Sequence, residues 1–203
     1  LDKTMIVVTA DHGGQGNRYY FGVGGKSSQG KINNERDDGA YKTFWLGKLR
    51  ESAKVSLLFQ DSILRVWLED QSKENADMAI HSLMQSSGVV SVHQKITLKS
   101  FPPQYRYTEV VSELKKQPAA FQKWANAHVA ELINSMANEE SPDLVATLED
   151  DVGYGLLGDH GGTQEKVQRI PMIIHIPSEK ASQPSQEFRQ RDIFDLVVSK
   201  MGL

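Results

Sequence analysis

Two copies of one tetrapeptide carry the side chains best suited to chemistry in this chain, Asp11-His12-Gly13-Gly14 near its start and Asp159-His160-Gly161-Gly162 near its end. A carboxylate beside an imidazole offers oxygen and nitrogen donors of the kind that hold divalent metal ions, zinc in particular. The first copy follows Met5-Ile6-Val7-Val8-Thr9, an apolar and β-branched run that predicts a buried strand. Asp11 and His12 then fall at the carboxyl end of a core strand, where the chain turns. Taken alone, the stretch reads equally well as a strand that ends in an Asp-His turn. The second copy, followed by the strand-like Ile170-Pro171-Met172-Ile173-Ile174-His175-Ile176-Pro177, favours ligands.

Other chemistry-bearing residues read as structural. Gly13 to Gly39 is glycine-rich and polar, and Gly25-Lys26-Ser27 imitates the tail of a phosphate-binding loop. Tyr20 occupies the position where that motif needs its first glycine, so a loop near the mouth of a site is the better reading. Asn33 to Gly39 continues it as solvated loop. His81 and His93 have no acid or second histidine at ligand spacing and are expected to be partly exposed structural residues. His128 lies on an apolar helical stripe as a packed core-edge residue. Thr9 is read as structural rather than as a nucleophile, and Glu149-Asp150-Asp151 as a solvated loop.

The elements that must position these residues follow from periodicity. Val55–Gln60 and Ile63–Leu68 predict a hairpin around Asp61-Ser62. Ser72 caps a helix from Lys73 to about Gln85, with Ala76, Ala79, Ile80, Leu83 and Met84 on one face and Gly88 as its stop. Val89 to Lys95 is a further strand, and the pattern from 54 to 95 makes a small α+β unit. Tyr105 to Val111 is weakly strand-like, and helices are expected around 107–116 and 119–136. Leu144 to Leu148 reads as a strand returning to the main sheet, and Arg191 to Met201 as a last helix stopped by Gly202. The fold class is α/β, with residues 1–40 and 143–203 forming a metal-binding core and 41–142 an inserted α+β cap with its following helices.

Composition narrows the function. The chain has 203 residues, 39% of them apolar and 24% charged, which gives room for a real core and argues against disorder. A net charge of −3, with scattered basic residues, speaks against a nucleic acid polymer as partner. No apolar run is long enough to span a membrane. The absence of cysteine excludes disulfides and thiolate metal sites. A core-type strand so close to Leu1 leads us to expect a C-terminal piece of a longer protein.

The first Asp-His-Gly-Gly, the later Gly158-Asp159-His160-Gly161-Gly162, the segment from Arg169 to Pro177 and the helix from Arg191 through Leu203 occur in an order that resembles the C-terminal half of an alkaline phosphatase superfamily member. The resemblance is to the type I phosphodiesterase/nucleotide pyrophosphatase group. It implies an alkaline-phosphatase-like three-layer sandwich carrying an inserted cap, and two divalent metal ions, usually zinc. Asp11 and His12 would bind one ion and His160 the other, while Asp159 would support its neighbour from behind. The family's nucleophilic Thr or Ser and its remaining ligands precede the first motif, so this chain alone is expected to be inactive. The full protein would hydrolyse a small-molecule phosphate ester, by in-line attack of the upstream alkoxide on phosphorus and then hydrolysis of the phosphoryl-enzyme. The resemblance also implies an extracytoplasmic enzyme. A sulfatase or a phosphoglycerate-mutase-like member of the same superfamily, or a binding domain that kept the fold without catalysis, are the alternatives.

Overall fold

A computed structural model describes residues 4–16, 19–20, 49, 52–154, 158–177, 179–180 and 188–201. The phosphate-loop imitation at Gly22 to Ser28, the loop at Asn33 to Gly39, the helix stop at Gly202 and the side chain of Asp159 lie outside what is described. The fold is mixed α/β and divides into two compact units, one formed by the chain up to Thr9 and from Met172 onward, the other by Ala10–Pro171.

In the first unit β1 (Ile6–Thr9) pairs antiparallel with a late strand, Met172–His175, with Val8 opposite Ile173. A helix, Asp192–Met201, follows. The strand expected to be buried is only partly so: Val8 is 56% and Ile173 66% exposed. A two-stranded ribbon has two edges and two faces, and among the described residues nothing covers this one fully.

The second unit is built around a five-stranded antiparallel sheet. In chain order its small elements are β2 (Gly14–Gly16) and β3 (Tyr19–Tyr20), followed by β4 (Val55–Gln60), β5 (Ile63–Leu68) and helix α1 (Lys73–Met84). Then come β6 (Val89–Leu98), β7 (Gln104–Ser112), a 3-10 turn (Leu114–Lys116), α2 (Ala119–Asn134) and β8 (Leu144–Leu148). The unit closes with β9 (Val152–Gly153), β10 (Gly158–His160) and the short α3 (Glu165–Gln168), so that the late strand of the first unit is β11 and its helix α4.

Local signals explain much of this sheet. The hairpin turns at Asp61-Ser62 as the pattern requires, and the Ser72 hydroxyl accepts from the backbone N–H of Asn75 to cap α1. Ala76, Ala79 and Leu83 of α1 pack with Leu64, Val66, Val92 and Leu148 on one face of the sheet. Phe121, Ala125, Val129 and Ile133 of α2 pack with Val90, Tyr107 and Val145 on the other. Gly88 ends the α1 region with φ +76, where a side chain would be strained.

Three expectations need correction. The stretch 107–116 is strand through Ser112 and a 3-10 turn over Leu114–Lys116, because β6 pairs with Gln104 to Ser112 and outweighs a local helical spacing. His93 is buried at 5% exposure rather than partly exposed, since α2 covers the β6 strand that carries it. Leu144–Leu148 does not join β1 and β11. It is the central strand of the five, in the order β4-β5-β8-β6-β7, and all of its residues are buried. Asp143, one residue before β8, accepts from the backbone N–H of Leu68 at 2.8 Å and from Gln71 Nε2 at 3.1 Å, pinning the strand's entry.

Candidate metal centre

The two Asp-His-Gly-Gly motifs meet. β2 pairs antiparallel with β10, with His160 opposite Gly14 and Asp159 opposite Gln15. That register brings the His12 and His160 rings face to face, with centroids 4.3 Å apart and planes 13° from parallel. Asp11, His12 and His160 all belong to the second unit, so the juxtaposition is internal to one compact body.

Glycines make the approach possible. The Gly13 N–H donates to the Val167 carbonyl at 2.7 Å, and a Cβ on Gly13 would lie 2.7 Å from the Lys166 carbonyl oxygen. A Cβ on Gly162 would meet Gln164 Oε1 at 2.0 Å and the Ser62 carbonyl at 2.6 Å. Backbone therefore presses on backbone behind each motif, where a larger residue has nowhere to go. Gly162→Ala is expected to lower stability by about 2 kcal/mol, read from the urea midpoint. Gly16→Ala is the control, because no atom of a described residue lies within 4 Å of its would-be Cβ. Equal midpoints for the two variants would contradict this account of the packing.

The first motif is tied together by its own polar contacts. His12 Nδ1 lies 3.0 Å from the Gly13 carbonyl oxygen, which can only accept, so the proton of that contact sits on Nδ1. Asp11 Oδ1 accepts from the His12 backbone N–H at 3.0 Å. This bond, the Asp11 backbone N–H and the nearby imidazoles hold the Asp11 carboxyl below its ordinary range, as a carboxylate. Its other oxygen, Oδ2, stands 3.3 Å from His12 Nε2. That spacing is an ion pair when the ring carries both protons and an edge open to a cation when it does not. A tetrahedral zinc ion with arms of about 2.0–2.1 Å has ligand–ligand edges of roughly 3.3 Å, so the pair fits one edge of such a site.

His160 does not complete that tetrahedron. Among the described residues no three of His, Cys, Asp and Glu converge on one ion. A site at this place would need ligands beyond Asp11, His12 and His160.

Sequence reasoning missed one cation. Arg65, on β5, brings Nη2 to 3.7 Å from the point where a Cβ on Gly161 would be, and its buried Nε has no hydrogen-bond partner among the described residues. Nothing in the local pattern announces this, because it depends on β5 lying under the second motif. The acids Glu149 to Asp151 are held in a turn away from any metal cluster among the described residues: Glu149 Oε1 accepts from Gln117 Nε2 at 3.1 Å and Asp151 pairs with Lys166 at 2.7 Å. His128 packs its ring on Trp124, as expected of a core-edge residue. His81 is exposed and lies 2.7 Å from Gln85 Nε2. Compared with protein-family models, characterised proteins and solved structures, the chain matches none.

Proposed function

We propose that the protein carrying this chain hydrolyses small phosphate esters at a pair of divalent metal ions, zinc in the first instance, as a phosphodiesterase or nucleotide pyrophosphatase of the alkaline phosphatase superfamily. The observation that carries this reading is the meeting of the two motifs, with Asp11 Oδ2 and His12 Nε2 3.3 Å apart and the His160 ring stacked on His12 at 4.3 Å. On this reading Asp11 and His12 hold one ion and His160 the other, and the five-stranded sheet belongs to an insertion in an alkaline-phosphatase-like sandwich. Bound metal would polarise the phosphoryl oxygens and offset their charge. The chain's own residues orient and exclude. The Gly13 carbonyl fixes the His12 tautomer, the pressed glycines hold the motifs in register, and Arg65 adds positive charge beside Gly161 for an anionic substrate. The resemblance assigns the nucleophile and the remaining ligands to a segment upstream of Asp11, and the enzyme to the outside of the cytoplasm.

Metal analysis of the full-length protein, with hydrolysis of a chromogenic phosphodiester, tests the proposal. We expect about two zinc equivalents per protein, loss of hydrolysis on dialysis against a chelator, and recovery on adding zinc back. Hydrolysis that survives complete removal of metal, or a fully loaded protein with no turnover, would sink it.

A further inference from the structure

Between α2 and the sheet lies a cavity of about 260 Å³, which the phosphate-ester reading does not use. One wall is apolar, formed by Phe121, Ala125 and Val129 of α2. Its floor is polar and buried: Ser91 Oγ is 2.9 Å from His93 Nε2 and 2.7 Å from Thr147 Oγ1. Glu109, opposite His93 in the β6/β7 register, also lines it and is the only charged residue among the described ones that do. Its exposed carboxylate has no ion pair or hydrogen bond among the described residues.

We infer that this cavity binds a small organic amine, with the apolar body against Phe121, Ala125 and Val129 and the ammonium at Glu109 and His93. An apolar pocket with a few convergent polar groups is the usual form of a small-molecule site. The acceptors select the head group. Glu109 offers only lone pairs, and an alcohol or a carboxylate in its place would leave that charge unmet or repelled. His93 Nδ1 makes no hydrogen bond to a described residue, and it becomes a second acceptor when Nε2–H donates to Ser91 and the Ser91 hydroxyl donates to Thr147. Burial pushes the His93 imidazole down to about 4, so at neutral pH it does not repel an incoming cation.

Titration of the full chain with phenethylamine at neutral pH, followed by calorimetry and by the His93 ring resonances, tests the site. Saturable one-to-one binding is expected, with the His93 resonances shifting in step. Glu109→Gln, at an exposed position, should weaken binding by about tenfold, and phenethyl alcohol should bind the unmodified chain about tenfold less tightly than the amine. Ala125→Leu, with folding checked by circular dichroism, should abolish binding by filling the cavity. The inference is overturned by absence of saturable binding, by equal affinities for amine and alcohol, by a Glu109→Gln affinity that matches the unmodified chain, or by binding that survives in folded Ala125→Leu. Its outcome is independent of metal content and of phosphodiester hydrolysis.

Discussion

On the proposed two-ion reading, full-length protein carrying His160→Ala is expected to lose one of two metal equivalents, and turnover of a chromogenic phosphodiester to fall by about a hundredfold or more, on the order expected when a two-ion site loses a ligand. The partial loss of metal is the telling part. The His12 and His160 rings are nearly parallel at 4.3 Å, and the proposed reading gives them to neighbouring ions. Removing one ring should empty one position and leave the other, held by Asp11 and His12, partly occupied. Metal content by mass spectrometry and turnover on the same sample read both quantities. Unchanged turnover would remove His160 from the site. Loss of both ions together would show that the two positions do not fill independently.

The second large effect is on acid stability, and it belongs to His93. In the unfolded chain this imidazole titrates near 6.5, whereas burial in the fold pushes it down to about 4. A depressed histidine contributes its stability in the neutral form. That contribution is complete above about pH 6.5, falls as the unfolded state takes up a proton that the folded state refuses, and is exhausted near pH 4. The shift corresponds to about 3 kcal/mol across that window. Urea unfolding at a series of pH values should show this decline, and His93→Gln, which can keep a hydrogen bond to Ser91, should remove about 3 kcal/mol of the difference. Parallel pH profiles for the two proteins would show that His93 titrates in the fold as it does in the unfolded chain.

These two histidines also mark what the sequence disclosed and what it withheld. Helix α1 was legible because its information is local: Ser72 caps it, Ala76, Ala79 and Leu83 share a face, and Gly88 follows. The hairpin at Asp61-Ser62 was legible for the same reason. The Asp-His-Gly-Gly motifs could be picked out as types and spacing, but their meeting could not. β2 and β10 are short and contain glycine, with no strand signal of their own, and they are paired across most of the chain. The burial of His93 depends on α2 crossing over β6, and the identity of β7 depends on its partner rather than on Tyr107, Val110, Val111 and Leu114, whose spacing imitates a helix. Each miss therefore lies where a distant segment decides the environment of a residue.

The place of β8 has a consequence for how this unit comes into being. β4 with β5 and β6 with β7 are each joined by short turns, but the strand that unites them, Leu144–Leu148, is made last of the five. Until it arrives, the inward borders of β5 and β6 present open backbone donors and acceptors together with Leu64, Val66, Val90 and Val92, all of which are buried in the finished sheet. Such borders are templates for pairing with another chain. A ribosome-bound or prematurely ended chain that stops short of Leu144 holds two sticky ribbons, and completion of synthesis is the step that turns them into one closed sheet.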